Sequence, residues 1–216
     1  MRIRRICAIV ALPVLAGLWG LPAQAASFSP KSHFSLSTYK VTANPKVTYN
    51  VSQAAGQENI SKVTIVVPAG FKLPGDAAIK NGEILGSGQI KIATQPACTA
   101  ASEGTFNASL TEKDRTPKQK SHGVKAVWLL DLSFTQIELD LYGSLAAGWK
   151  VKANVPSSQA TCPPFSFKLT VNKTSSTSHT KIFQNPKAAG SYTFKATWTS
   201  DKGTKYTSSQ TVKIVA

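Results

Sequence analysis

Apolar and polar residues alternate along most of this chain, which is the pattern of β-strands with one buried face and one solvated face. The clearest alternating segments cover residues 47–51, 63–67, 137–141, 149–155, 165–171, 192–198 and 206–215. Residues 127–132 are mostly apolar instead, as in a strand that is buried on both faces. The pattern predicts an all-β fold of about ten to twelve short antiparallel strands, arranged as a sandwich or as a sheet closed on itself.

Turn-forming residues separate these strands, and two longer connections interrupt them. Asn81-Gly82 predicts a tight hairpin between 78–80 and 83–85, because both residues tolerate the positive φ that such turns require. Asp201-Lys202-Gly203 predicts another turn before the last strand. The stretches 111–125 and 172–190 lack periodicity, so they are predicted as an exposed loop and an irregular connection.

The first 25 residues have the organisation of a secretory signal peptide. A basic start at 2–5 precedes an apolar run at 6–21, and Ala23-Gln24-Ala25 forms a small-x-small cleavage site. The alternative is a retained membrane anchor, but Pro13 interrupts the run, which is barely as long as a bilayer span. We therefore expect residues 26–216 to be secreted to the cell envelope or the extracellular space, which excludes cytosolic metabolism.

The exported part is predicted to be one cooperative unit held by one disulfide. Only Cys98 and Cys162 remain after cleavage, and neither has a cysteine or histidine at metal-ligand spacing. An even pair in an exported chain predicts a disulfide, which would close a loop of about 65 residues and stabilise the fold by about 4 kcal/mol. The alternative organisation is two Ig-like subdomains with a boundary near 97–103.

The chain carries a large excess of positive charge, nearly all of it from lysine. Of its 25 basic and 10 acidic residues, the first 25 positions hold three arginines and no acid, so 22 basic residues remain and the exported charge is +12. Lysine acts as a point charge, whereas bidentate recognition of phosphate or guanine favours arginine. The composition predicts general attraction to anionic polymers without specific nucleic-acid binding, and the alternative role of these lysines is solubility and edge-strand protection.

The candidate anion-binding residues lie in the 113–125 stretch and on the predicted outward faces of strands. They are Lys113, Arg115, Lys118, Lys120, Lys125, Lys150, Lys152 and Lys168. Binding through such contacts is expected to weaken steeply as the salt concentration rises. The predicted partners are anionic cell-wall polymers, polysaccharide or another surface protein.

Two segments resemble a known group of proteins. Residues 60–71 form a predicted strand that ends in Pro68-Ala69-Gly70-Phe71, and residues 189–214 form a predicted terminal hairpin. Both are similar to segments of uncharacterised secreted bacterial Ig-like β-sandwich proteins. The resemblance implies an Ig-like β-sandwich with a surface, adhesive or accessory role, and it implies no catalytic residue.

The motifs of the chain predict no catalytic residue, no metal site and no cofactor. Its three histidines lack zinc-ligand spacing, and no nucleophile elbow of the Gly-x-Ser-x-Gly type occurs. Asp131, Glu138 and Asp140 form the densest acidic group, which is predicted to lie on a solvated strand face beside lysines of a neighbouring strand. An enzyme with a site assembled from distant residues stays open as a hypothesis, with His122 or His179 facing one of these carboxylates.

A different alternative is a carbohydrate-binding module with an exposed aromatic platform. Most aromatic residues of the chain lie in phase with the apolar faces of their own strands, which predicts burial in the core. Trp128 and Tyr206 are the candidate platform residues, and burial of every tryptophan would contradict this function. The sequence therefore predicts a non-catalytic binding or structural protein, with the carbohydrate-binding module as the alternative.

Overall fold

The computed structural model describes residues 27–74, 78–92, 104–156 and 165–216, and these form eleven strands and one short helix. The strands are β1 (Lys31–Leu36), β2 (Val47–Gln53), β3 (Ile60–Val67), β4 (Ile84–Ile92), β5 (Gly104–Lys113), β6 (Ala126–Asp131), β7 (Gln136–Ser144), β8 (Gly148–Asn154), β9 (Phe165–Val171), β10 (Gly190–Ser200) and β11 (Lys205–Ile214). Helix α1 (Pro117–Ser121) lies between β5 and β6. The predicted all-β class and the predicted number of strands are confirmed.

Two sequence predictions concern residues outside the described ranges. These are the signal peptide at 1–25 and the disulfide between Cys98 and Cys162, and both stay predictions. Within the described ranges, no helix has the length and apolar character needed to cross a membrane.

The strands form one sheet in the order β1-β2-β9-β4-β5-β6-β7-β8-β3-β10-β11, and neighbours in this order are antiparallel. Strands that precede residues 97–103 and strands that follow them are intermixed in this sheet. For example, β9 lies between β2 and β4, and β3 lies between β8 and β10. The described residues therefore do not divide into two subdomains near 97–103. The sheet folds back until its two end strands meet.

The end strands β1 and β11 meet through side chains in a contact that we call the seam. Gln210 accepts a hydrogen bond from the Phe34 N–H at 2.7 Å, and its amide donates one to the Phe34 carbonyl oxygen at 2.6 Å. The Oγ atoms of Ser32 and Ser208 are 2.7 Å apart. At the seam, a side-chain amide thus takes the place that the peptide group of a paired strand would have.

Inward side chains of the folded sheet form the core. In β10, for example, Phe194, Ala196 and Trp198 are buried, while Lys195 between them is exposed. This alternation is the one that the sequence pattern predicts for a strand with one buried face. The apolar positions of the other alternating segments lie in the same core.

The segment 172–190 closes one end of the core. It is irregular, as predicted, but Ile182 and Phe183 within it are buried. The ring of Phe183 lies 5.2 Å from that of Phe71, and the Phe71 ring lies 5.1 Å from that of Phe194. These aromatic contacts join the segment to β10, so its middle part at Ile182 and Phe183 belongs to the hydrophobic core, while residues 176–179 and 187–189 stay exposed.

Two local predictions are wrong. Residues 78–80 form no strand, and the Asn81-Gly82 turn instead lies against the end of β5, where the Gly82 N–H donates to the Glu112 carbonyl oxygen at 2.8 Å. The stretch 111–125 is not all loop, because it begins within β5 and contains α1. Thr116 caps this helix by accepting a hydrogen bond from the Gln119 N–H at 3.2 Å.

Candidate functional site

A groove of about 510 Å³ crosses the outer face of the sheet over β1, β2, β9, β4 and β5. Most of the residues that line it carry amine, hydroxyl or amide groups, and we call it the basic groove. Its outward residues are Lys31, Ser52, Ser166, Lys91, Thr105, His33, Asn50, Lys168 and Gln89. Only Lys168 belongs to the anion-binding residues that the sequence predicts.

Strand register places these side chains in two rows across the strands. In the first row, Lys31 lies opposite Ser52, Ser52 opposite Ser166, and Ser166 opposite Lys91. Neighbouring strands are about 4.8 Å apart, so three steps separate the two lysine backbones by roughly 14 Å. The row therefore carries a cation at each end and two hydroxyl groups between them.

The second row stands beside the first, because side chains two positions apart share a sheet face. In this row His33 lies opposite Asn50, and Lys168 lies between Asn50 and Gln89. Lys168 is two residues from Ser166, near the middle of the groove. Three lysines thus surround a patch of amide and hydroxyl groups.

No carboxylate on the main strands of the basic groove neutralises its lysines. β1, β2, β4 and β9 contain neither Asp nor Glu, and Glu112 of β5 is only 1% exposed. Lys31, Lys91 and Lys168 are exposed, and none of them forms an ion pair with a described residue. The groove is therefore a region of concentrated positive potential.

The predicted cations of 113–125 fall into two groups. In the first group, Lys113 forms an ion pair with Glu138, and Arg115 donates from Nη1 to the Val124 carbonyl oxygen at 2.6 Å. The side chains of these two residues therefore make contacts within the protein. The other three, Lys118, Lys120 and Lys125, are exposed on and after α1. Two of the five predicted cations in this stretch are therefore engaged in contacts within the protein, although the Lys113 side chain is still 41% exposed.

Lys150 and Lys152 lie on β8, and β4, β5, β6 and β7 stand between this strand and Lys168 in the sheet order. The Lys152 Nζ lies 4.4 Å from the centre of the Tyr142 ring, in cation–π geometry. Burial, together with the charge of Asp140 and its hydrogen bond, raises the pKa of Tyr142. The structure thus does not bring the eight predicted cations together on one surface.

The prediction that Trp128 belongs to an exposed aromatic platform is wrong. Its side chain is only 6% exposed, and Trp149 and Trp198, the other tryptophans in the described ranges, are 7% and 3% exposed. Tyr206 is half-buried and packs against the core. Indole rings that face the core cannot stack on a sugar in solvent, so the geometry gives no support to the carbohydrate-binding alternative.

Glu83 holds the irregular 172–190 segment to the start of β4. This residue is 5% exposed, and its carboxylate accepts hydrogen bonds from the N–H groups of Lys80, Thr177 and Ser178. Burial by itself raises the pKa of Glu83, but these N–H groups stabilise the charged form more strongly and lower the pKa to about 2. The carboxylate is therefore an acid-sensitive clasp between two parts of the chain.

Acid is expected to weaken this clasp. The pKa of Glu83 is 4.5 in the unfolded chain and about 2 in the folded protein, so its contribution to stability is complete above pH 4.5 and is lost as the pH falls towards 2. Glu83→Gln should melt below the wild type at pH 7, and the difference in Tm should shrink between pH 4.5 and pH 2. A difference that stays constant across this range would contradict the assignment.

The three histidines are exposed, as a surface location requires. The described ranges contain no group of three or more His, Cys, Asp or Glu side chains placed to hold a metal ion.

A comparison of the whole sequence with models of protein families and with curated proteins gave no match to either.

Proposed function

We propose that residues 26–216 are an exported, non-catalytic binding protein of the cell envelope, and that the basic groove binds an anionic surface polymer such as an acidic polysaccharide. The observation that carries this proposal is the composition of the groove, where three exposed lysines stand among hydroxyl and amide groups on strands without a carboxylate. Lysines attract repeated negative charges, and the neutral side chains can exchange hydrogen bonds with polymer hydroxyls.

The spacing of the lysines favours a polymer over a single small anion. Lys31 and Lys91 stand at opposite ends of a row that spans roughly 14 Å. One small anion cannot contact both ends of that row, whereas a chain with repeated charges can. The strand ladders below the groove fix the backbone positions of these residues, so the spacing of the lysine attachment points does not have to be ordered on binding.

The same proposal has three further parts. They are export through the predicted signal peptide, an Ig-like relationship and a disulfide between Cys98 and Cys162. One observation supports the disulfide. Four described residues flank the two cysteine-containing segments, and three of them lie together, because Ile92 pairs with Gly104 across β4 and β5 and with Phe165 across β4 and β9. The proposed crosslink would therefore join two segments that each have an end at the same edge of the sheet, beside Ile92.

The test measures binding of the purified protein to immobilised polygalacturonate and polyglycerol phosphate, at about 50 mM and about 500 mM salt. The wild type is expected to bind at least one polymer at low salt and to lose about tenfold or more in affinity at high salt. A variant with Lys31→Gln, Lys91→Gln and Lys168→Gln should bind at least tenfold more weakly at low salt, equivalent to about 1.4 kcal/mol.

The matched control removes three charges from the other exposed cationic stretch. Lys118→Gln, Lys120→Gln and Lys125→Gln together change the net charge by the same amount, and this variant should bind within about threefold of the wild type. Equal losses in both triple variants would overturn the groove in favour of diffuse attraction by net charge. Absence of wild-type binding to both polymers would overturn the proposed function itself.

A further inference from the structure

The two end strands of the sheet run in the same direction. Ten steps lead from β1 to β11 in the strand order, and each step reverses the direction because neighbouring strands are antiparallel. The seam contacts agree, since Ser32 faces Ser208 and Phe34 faces Gln210, so the residue numbers rise together on both sides. A strand placed between β1 and β11 would be antiparallel to both. The seam therefore has the strand polarity that a twelfth strand requires.

Both edges direct backbone N–H and C=O groups into the seam. On β1 these are the groups of Phe34, which the Gln210 side chain binds at 2.7 and 2.6 Å. At the end of β11 they are the groups of Val215, which form two hydrogen bonds of 2.8 Å with residues 39–41. Every second residue of a strand directs its backbone groups to the same edge. Further donors and acceptors are therefore arranged along both edges at the spacing of a strand ladder.

Side chains hold most of the seam together. Among the described residues, direct backbone pairing between the two edges is confined to residues 39–41 with Val215, at one end. Along β1 the joining groups are the Gln210 amide and one pair of serine hydroxyls. Separation of these side chains would free the edge of β1 and would leave every strand ladder intact. A small pocket beneath the seam is lined in part by Phe34 and Ala196, so compact side chains suit the inward positions of an added strand.

Lysines flank the seam on its outer surface. Lys31 lies on β1, Lys205 lies on β11, and Lys195 lies on β10 opposite Ser209. All three lysines are exposed, and none of them forms an ion pair with a described residue. The strands β1, β2, β10 and β11 contain neither Asp nor Glu. An added strand with acidic outward side chains would therefore meet complementary charge on both sides.

We infer that the seam binds an extended acidic segment of another protein as a twelfth strand, antiparallel to β1 and β11. The backbone of this segment replaces the Gln210 amide at Phe34, its acidic side chains face the lysines, and its compact side chains face inward. A second copy of this chain is a poorer donor of the strand, because its own excess of basic residues repels these lysines. Lys31 is shared with the basic groove, so the test variants leave it unchanged.

The probe is a six-residue peptide of alternating glutamate and valine, blocked at both ends and labelled for fluorescence anisotropy. It should bind the purified protein with a dissociation constant below about 1 mM. The same peptide with N-methylated glutamates lacks half of its N–H donors and should bind about tenfold more weakly or less, as should an alternating lysine–valine peptide. If either altered peptide binds as tightly as the first, or if the first does not bind in this range, the inference is wrong.

A crosslink across the seam gives the second test. The Oγ atoms of Ser32 and Ser208 are 2.7 Å apart, so Ser32→Cys with Ser208→Cys places two thiols within reach of a disulfide. The oxidised double variant, with its crosslink verified by mass spectrometry, should not bind the glutamate–valine peptide, and reduction should restore binding. Ser32→Cys alone and the wild type under the same reductant are the controls. Binding of the peptide to the crosslinked protein at wild-type affinity would overturn the inference.

Gln210→Leu removes the side chain that competes with the peptide for Phe34. This variant should bind the glutamate–valine peptide about threefold more tightly or better, because the peptide supplies the hydrogen bonds that the seam then lacks. Weaker binding would contradict the displacement of Gln210. If light scattering shows that the wild type dimerises and the crosslinked variant does not, a second copy donates the strand and the acidic partner is wrong.

Two further variants separate this inference from the proposed function. Lys91→Gln with Lys168→Gln should leave affinity for the glutamate–valine peptide within about threefold of the wild type, because both lysines lie away from the seam. The crosslinked variant should bind the anionic polymers as the wild type does. Loss of peptide binding in the double lysine variant would assign the peptide to the basic groove and would overturn the seam as its site.

Discussion

Replacing Gly88 with valine is expected to prevent folding, and Gly88→Ala is expected to lower the free energy of unfolding by about 3 kcal/mol or more. Gly88 lies in β4, opposite Leu169 of β9. A Cβ atom at this position would lie 2.1 Å from the Lys168 carbonyl oxygen and 2.9 Å from the Leu169 Cα. Both contacts are with backbone, so only separation of β4 from β9 would relieve them, and that would break their ladder.

The neighbouring residue supplies the control for this prediction. Ser87 is exposed, so Ser87→Val adds bulk on the solvent side of the same strand and should change stability by no more than about 0.5 kcal/mol. Urea unfolding of the soluble variants measures both effects. If the free energy of unfolding of Gly88→Ala is within about 1 kcal/mol of the wild-type value, β4 and β9 do not approach each other as closely as described. That result would also undermine the basic groove, since Lys91 and Lys168 are carried by these strands.

The alternation of residues predicts most of the strands, and the two strands that it misses have a physical explanation. The inward positions of β5 include Ala108 and Glu112, one small and one charged, which obscures the apolar period. The inward Ser32 has the same effect in β1. Alternation identifies a strand only when its buried face is filled by large apolar side chains.

The strand order explains why the sequence predicts only part of the candidate site. The outward phase of Lys168 is visible from the alternation around it, and this residue lies in the basic groove. Lys31 and Lys91 lie far away in the sequence and join it only because β9 inserts between β2 and β4. The high density of basic residues in 113–125 predicts an anion-binding surface, but two of these cations, Lys113 and Arg115, make contacts within the protein. The alternation of apolar and polar residues predicts which face of the sheet a residue lies on. It does not predict which strands lie beside the strand that carries the residue.

Gln210→Leu is expected to lower the free energy of unfolding by about 3 kcal/mol and the Tm by roughly 6–12 °C. Leucine has a similar volume, but it cannot accept from the Phe34 N–H or donate to the Phe34 carbonyl oxygen as Gln210 does at 2.7 and 2.6 Å. Two part-buried backbone groups at the seam would lose their partner, and each such loss costs about 1–3 kcal/mol when the group is buried. Thermal melting and hydrogen exchange at the Phe34 amide measure the change.

Gln210→Glu separates the hydrogen bonds from the shape of the side chain. A carboxylate accepts from the Phe34 N–H but repels the Phe34 carbonyl oxygen, whereas the protonated acid donates to it. The Glu variant should therefore resemble the Leu variant at pH 7 and recover towards the wild type near pH 4, measured as the Tm difference at each pH. Gln89→Leu is the control, because among the described residues the exposed Gln89 amide makes one side-chain contact, at 3.5 Å with Asn107. If both Gln210 variants melt with the wild type at every pH, the seam does not depend on this amide, and core packing and the Ser32–Ser208 contact hold β1 against β11.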